Sequence, residues 1–492
     1  MISVRKYFVT TIAIVLVFTT NFVTYAESNS LERAKGVILL IGDGMGINQV
    51  KSAGIYSQSI LGKDLEINTI RTSGLTTTHA ANSKVTDSAA AATALYSGYK
   101  TNTGQLNILP DGRKVFNVAD AAKKAGLSVG VVSTTRLTDA TPAAIYGSSA
   151  RRDCEAYIAG QLPEFSPDVI LGGGGAYFVP SSQKGSKRTD QKDIIELMKG
   201  RGYGFVENNS DLKAVNPETV DKLFGLFSLS NMAYVIDREG HKVLSNQPNL
   251  AEMTKIVLSI VGRNPKGFFV MIEGGRIDHA CHNQDIKTMI TETLDFDAAV
   301  GLALSYQKTH PDVLVIVTAD HETGGLIQRP DGDDFTIDPL PLEPIKRSLT
   351  YLEDKIKTAP DQQEAILKYA GLNLTEEEAE LLKNNQTKVV EEKPSGNGDK
   401  AKRKFAKSAT LEALSMITSQ RAKVDWTSFG HTEQPVMTKA VGPGEKLFSG
   451  SYDNTDIAKK IAEILNLSLP IPALETDQTS ISPQATGAAS CP

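Results

Sequence analysis

Short apolar runs recur along the chain, and each stops abruptly at glycine or polar residues. Val37–Ile41 ends at Gly42-Asp43-Gly44-Met45-Gly46, and Val169–Leu171 ends in four glycines. Val129–Val132 ends at Ser133-Thr134-Thr135 and leads to Asp139-Ala140-Thr141-Pro142. Phe268–Ile272 ends at Glu273-Gly274-Gly275, and Val313–Thr318 at Ala319-Asp320-His321. Apolar runs this short, without alternation, predict strands buried on both faces, as in a parallel sheet. Between them, Val118–Lys124 and Leu250–Val261 have the amphipathic spacing of helices. The expected class is α/β: a three-layer sandwich with a large, mostly parallel central sheet flanked by helices. In such a sheet every one of these polar clusters falls at the carboxyl ends of the strands, where ligands bind. Four clusters carry acids, hydroxyls or histidine, which predicts a site.

The texture changes between Leu326 and Asp425. Thr375-Glu376-Glu377-Glu378-Ala379-Glu380 opens a charged helical stretch, and Glu391 to Lys404 is rich in Lys, Gly, Ser and Pro. This reads as a mostly helical insertion (326–425) within a globular domain spanning 27–469. Residues 1–26 read as an export signal: Arg5 and Lys6, an apolar stretch from Phe8 to about Val23, then a cleavage site after Ala26. The stretch is near the shortest length that could anchor in a membrane, but Thr and Asn dilute it; the periplasm or the medium is the expected location, with no membrane attachment after cleavage. From Pro470 a Ser/Thr/Ala/Pro-rich segment (470–492) reads as a mobile tail. The three cysteines, Cys154, Cys281 and Cys491, allow at most one bridge, and whether Cys154 pairs with Cys281 is left open. Fifty-two Lys+Arg against 57 Asp+Glu, with no long basic stretch, leave no nucleic-acid footprint.

Asp278 and His282 lie four apart and share one face if helical; carboxylate oxygen with imidazole nitrogen suits Zn²⁺. His431, in Gly430-His431-Thr432, could complete that set, although a surface Asp beside a core His has the same spacing. Asp320 and His321 are adjacent, so both reach one ion only where the chain turns, and Glu322-Thr323-Gly324-Gly325 supplies a turn. Asp43 sits in a glycine run that fails the dinucleotide fingerprint, since its third glycine would fall at Ile47; an acid wrapped in glycine suits close approach of backbone to a cation. Glu273 and Thr141 add oxygen donors, the preference of Mg²⁺. Ser88 opens the helix-forming Ala89–Ala92, at a helix N-terminus that favours an alkoxide and a phosphate; alternatively Asp87 or Ser88 is only the cap. No Gly-x-Ser-x-Gly elbow is present, which disfavours an ordinary Ser-His-Asp hydrolase. Arg152 taken alone is a surface arginine, and His79, His241 and His310 are read as structural or exposed.

Six ordered blocks make the chain resemble the alkaline phosphatases. They are Ile41–Gly46, Val85–Ala90, Thr138–Ala143, Glu273–His279, Thr318–Gly325 and Gly430–Thr432. The resemblance implies phosphomonoester hydrolysis through a phosphoserine on Ser88, with two Zn²⁺ and one Mg²⁺. Asp278, His282 and His431 match the ligands of the first zinc. Asp43, Asp320 and His321 match those of the second, which also meets Ser88. Thr141 and Glu273, with Asp43, match the magnesium set. Arg152, chosen over Arg151 by its spacing from Pro142, matches the arginine that clamps phosphate, and Asp87 the acid that orients it. Asp139 and His279 match two outer positions at which family members differ. Small phosphomonoesters are the implied substrates and a homodimer the implied assembly. The competing readings are a phosphodiesterase, sulfatase or phosphoglycerate mutase of the same superfamily, or an exported metal- or phosphate-binding protein. A sulfatase motif is missing, because Ser88 is followed by four alanines.

Overall fold

The computed structural model describes residues 32–332, 334–357, 359–386, 408–470 and 491, so the expected export signal (1–26) and most of the expected tail lie outside the described residues. A ten-stranded sheet organises the chain. Its strands are β1 (Gly36–Ile41), β2 (Thr72–Thr77), β3 (Ser128–Arg136), β4 (Val169–Gly173) and β5 (Gly204–Val206). They continue with β6 (Leu223–Leu226), β7 (Phe268–Glu273), β8 (Val313–Thr318), β9 (Val436–Val441) and β10 (Gly450–Asp453). The spatial order is β10-β2-β9-β8-β1-β7-β3-β4-β6-β5. Only β9 runs antiparallel to its neighbours.

The helices that cover it are α1 (Ile47–Tyr56), α2 (Ser88–Ser97), α3 (Val118–Ala125), α4 (Ala140–Tyr146), α5 (Leu250–Val261), α6 (Arg276–His282), α7 (Ile286–Thr309) and α8 (Thr455–Ile464). Strand β1 shows why two layers are needed. Ile38 and Leu40 enter one core with α1, α5, α6 and α7; Val37, Leu39 and Ile41 enter the other with α2, α3, α4 and α8. The pleat sends successive side chains to opposite faces, so a strand apolar at every position must be covered on both. Capping boxes start α3 at Asn117 and α5 at Asn249, and α3 stops at Gly126, which takes the left-handed conformation.

Strands β8, β1, β7 and β3 are consecutive in the sheet, so the clusters at their carboxyl ends meet along one edge. The apolar runs Val37–Ile41, Val129–Val132, Val169–Leu171, Phe268–Ile272 and Val313–Thr318 fall on β1, β3, β4, β7 and β8, whereas β5 and β6 are not anticipated, although Leu223–Leu226 is apolar and buried throughout. Strands β2, β9 and β10 are not anticipated either, because their half-exposed, threonine- and glycine-bearing sequences lack the continuous apolar signal.

Residues Leu326–Gln328 pair antiparallel with Val424–Trp426. Between these strands lie helices Leu349–Ile356, Gln362–Ala370, Glu376–Gln386 and Ala409–Arg421. The Ser348 backbone N–H and hydroxyl both donate to Asp237, tying this segment to the body. Cys154 is bonded to Cys491, and Cys281 is buried and free, so the Cys154–Cys281 pairing left open by the sequence does not form. Within the expected tail, Cys491 is therefore held by its bond to Cys154.

Candidate active site

Each expected residue reaches the sheet edge by a different local device. Ser88 is the first residue of α2, and Asp87 is its N-cap, accepting from Ala90 N–H at 3.1 Å. The cap is therefore the Asp87 side chain, which leaves the Ser88 hydroxyl uncommitted to capping and the second Asp87 oxygen open to other donors. Asp87 Oδ2 accepts from Arg152 Nη1 at 3.1 Å and from Gly104 N–H at 3.0 Å. Arg152 Nη2 donates to Asp139 Oδ1 at 2.9 Å, while Arg151 points outward and pairs with Asp153. Two carboxylates thus fix both arms of the Arg152 fork.

Asp278 and His282 fall one turn apart on α6, with His282 Nε2 3.3 Å from Asp278 Oδ2. His431 Nε2 lies 3.2 Å from His282 Nε2 and 3.6 Å from Asp278 Oδ1. The ligating atoms of Asp43, Asp320 and His321 lie within 4.8 Å of one another, as do those of Asp278, His321 and His431. His321 therefore stands between the two expected sets. Its ring stacks on His431 at 3.6 Å, and its Nε2 is 3.2 Å from Ser88 Oγ.

The turn that brings Asp320 and His321 together is not at 322–325. The chain bends at Asp320, where the carboxylate accepts from the His321 N–H at 2.9 Å, and Glu322–Thr323 is again extended, pairing with His431–Thr432. The glycine at 44 is also required by the packing of the segments around it. Its φ is +70°, and a Cβ there would meet Thr323 Oγ1 at 2.8 Å and Asp278 Cα at 2.9 Å. Glycine lets the ligand-bearing segments close on one another.

Thr141 Oγ1 is 3.5 Å from Asp43 Oδ2. Glu273 accepts from the Ser133 hydroxyl and, at 3.3 Å, from Thr135 Oγ1. Asp139 caps α4 and also accepts from Arg136 at 2.7 Å, while His279 Nδ1 lies 2.7 Å from Arg276 Nη1. Ser133, Thr135 and Thr323 were not assigned roles from the sequence, although they stand inside the strand-end clusters. Thr323 donates to Asp278 Oδ1 at 2.6 Å. His79 pairs with Asp453 at the surface, His310 stacks on Tyr306, and His241 accepts from the Val243 and Leu244 N–H groups; none reaches the site.

The electrostatics call for cations. Burial, then the neighbouring carboxylates, pushes Asp43 and Asp320 well above the usual range; burial raises Glu273 to about 7. Burial would raise Asp278 too, but His282 and His431 hold it well below that range. Burial and neighbouring cations depress His321, and burial depresses His431. Asp43 Oδ1, Glu273 Oε1 and Asp320 Oδ2 are buried and accept no hydrogen bond among the described residues. Such carboxylate oxygens are costly unless an ion meets them. The histidines are set to ligate: His431 Nδ1 faces Thr86 carbonyl at 2.8 Å and His282 Nδ1 faces Phe429 carbonyl, leaving both Nε2 atoms toward the acids. The donor set fits divalent cations, with nitrogen-bearing groups suited to zinc and an oxygen-only group to magnesium.

The alkaline phosphatase profile matches residues 34–467. Alkaline phosphatase 4 of Bacillus subtilis is 32% identical over 92% of this chain and 96% of its own length. The crystal structure of Thermus thermophilus alkaline phosphatase superposes with a TM-score of 0.77 at 30% identity, covering 89% of this chain and 92% of that one. The cold-active enzyme of Shewanella sp. gives 0.74 at 30%, covering 87% and 99%. With the fold, the sheet-edge site and these relatives in agreement, the chain belongs to the alkaline phosphatase family of phosphomonoester hydrolases.

Proposed function

We propose that this chain is an exported, metal-dependent alkaline phosphatase that works through a phosphoserine at Ser88. The observation that carries the reading is the placement of Ser88 Oγ 3.2 Å from His321 Nε2, beside three buried carboxylates each with an unmatched oxygen. Export is supported by the 1–26 pattern and by the Cys154–Cys491 bond, which suits an oxidising compartment. The family resemblance makes a homodimer the assembly we expect.

Bound cations, two zinc and one magnesium, would lower the pKa of hydroxyl and water oxygens and neutralise charge on the transferring phosphoryl group. Ser88 Oγ gives up its proton and attacks phosphorus in line, the bond from phosphorus to the ester oxygen breaks, and that oxygen takes up a proton as the alcohol leaves. Water then attacks the phosphoserine from the side the alcohol vacated, the bond from phosphorus to Ser88 Oγ breaks, and one water proton ends on Ser88 Oγ while hydrogen phosphate is released. Ser88 begins α2, so the positive end of that helix dipole would favour the developing charge. Arg152, held flat by Asp87 and Asp139, presents its fork to two phosphoryl oxygens, which favours a dianionic monoester over a diester.

The test compares p-nitrophenyl phosphate with bis-p-nitrophenyl phosphate between about pH 7 and about pH 10. Monoester turnover that rises with pH and disappears with chelator is expected; preference for the diester would move the assignment to a phosphodiesterase. Arg152→Ala is expected to raise KM for the monoester and Ki for inorganic phosphate by ~10- to 100-fold, as loss of charge-assisted hydrogen bonds implies. An unchanged Ki for phosphate would take Arg152 out of the phosphate site.

A further inference from the structure

The short ribbon formed by Glu322–Thr323 and His431–Thr432 has two faces, and only one is explained by the site. His431 stands opposite Thr323 and Glu322 opposite Thr432. Alternation along the strands puts His431 and Thr323 on the face toward Asp278, and Glu322 with Thr432 on the back. The back face is occupied by a carboxylate that makes no ion pair among the described residues. Glu322 is 2% exposed and accepts from Gln49 Nε2 at 2.6 Å, from the Gly325 N–H at 3.2 Å, from the Leu326 N–H at 3.3 Å, and from the Thr432 hydroxyl.

These donors come from three parts of the chain that each carry an expected ligand. Gln49 is in the first turn of α1, six residues after Asp43, and its amide also donates to Thr323 carbonyl at 2.8 Å. Gly325 and Leu326 follow His321, and Thr432 follows His431. Gly46 is open for the same reason: a Cβ there would lie 2.2 Å from Glu322 Cγ and 2.7 Å from Gln49 Oε1. We infer that Glu322, through Gln49 and Thr432, is a positioning residue that sets the spacing of His431 and His321 against Asp43 and thereby the affinity of the site for zinc.

The inference rests on the metal-dependent reading above. A glutamate is wanted because both oxygens must accept. In Glu322→Gln the amide nitrogen faces donors whichever way it is turned, so at least one pair is lost at constant volume. Outer-shell partners of this kind typically hold metal affinity by ~10- to 100-fold.

The experiment uses the full chain and measures zinc binding by competition with a chromogenic chelator, alongside thermal unfolding with and without zinc. Glu322→Gln is expected to weaken zinc binding by ~10- to 100-fold. Thr432→Val is expected to weaken it less, and Thr432→Ser, which keeps the hydroxyl, to restore wild-type affinity. Equal zinc affinity in wild type, Glu322→Gln and Thr432→Val overturns the inference, and a matching drop in unfolding temperature with and without zinc would assign Glu322 to the fold alone. Should Glu322→Gln not fold, the Thr432→Val and Thr432→Ser pair decides. A wild-type chain that takes up no zinc defeats the metal reading itself, a result separate from failure of the clamp.

Discussion

Replacing Ser88 with alanine is expected to lower kcat for p-nitrophenyl phosphate by ~10³-fold or more, because the covalent route is lost and only binding and electrostatic stabilisation of direct water attack remain. The neighbouring hydroxyls are poorly placed to substitute. The Thr86 hydroxyl donates to Asp87 carbonyl, those of Ser133 and Thr135 are engaged with Glu273, and that of Thr141 faces Asp43. The fold is expected to survive. The cap of α2 is the Asp87 side chain, and alanine at the first helical position is at least as good a helix former as serine, so stability should stay within about 0.5 kcal/mol. KM is expected to change little, because Arg152 and its two carboxylate partners are untouched. Acid quench of the wild type during turnover is expected to leave a phosphoryl group on the peptide containing Ser88, and none on the variant. Retention of more than about a tenth of the wild-type turnover in Ser88→Ala would remove Ser88 from the role of nucleophile.

The centre of the fold could be read from the sequence because burial on both faces leaves a signal that needs no context. Strand β8 and helix α5 fall at the predicted residues Val313–Thr318 and Leu250–Val261, and β1 and β7 each gain one residue. The outer strands were invisible for a physical reason. Thr72–Thr77 buries only Gly74 and Thr76, so its burial depends on Tyr452 and Thr438 arriving from far along the chain. Asp43, Glu273, Asp320 and His321 could be singled out because they follow buried strands directly or end them, and Asp278 with His282 because their spacing of four shares one helix face. Their second layer could not: Glu322, Gln49 and Thr432 are ordinary polar residues until the ribbon pairing puts them back to back. The bend at Asp320 was likewise not legible, because it is made by the Asp320 carboxylate accepting its own neighbour's N–H rather than by the glycines that follow.

Stripping the cations with a chelator is expected to abolish turnover and to destabilise the protein, with a deficit that widens as pH rises above about 6.5. The sign follows from which groups bind protons in each state. Asp43, Asp320 and Glu273 are raised in the metal-free fold by burial and by their mutual repulsion, Glu273 to about 7. Between the ordinary carboxylate range and those raised values the folded state holds protons that the unfolded chain has released, so stability falls as pH climbs. Below about pH 6.5 the opposite contribution of His279, His321 and His431, all depressed by burial, partly masks this. Above it those histidines are neutral in both states and the masking ends. His282, raised by Asp278 against its burial, adds to the same downward slope. Lys287, lowered by burial to about 8, pulls the other way, but it lies outside the ligand set and so affects loaded and stripped protein alike. The quantity to measure is therefore the difference in unfolding free energy between the two forms. It is expected to grow by about 1.4 kcal/mol per pH unit for each carboxyl that remains protonated in the stripped fold. Cations in the site let these carboxylates ionise without mutual repulsion, which is why the loaded protein escapes the slope. A deficit that stays constant between about pH 6.5 and about pH 8.5 would mean that the acids are not the groups the cations serve.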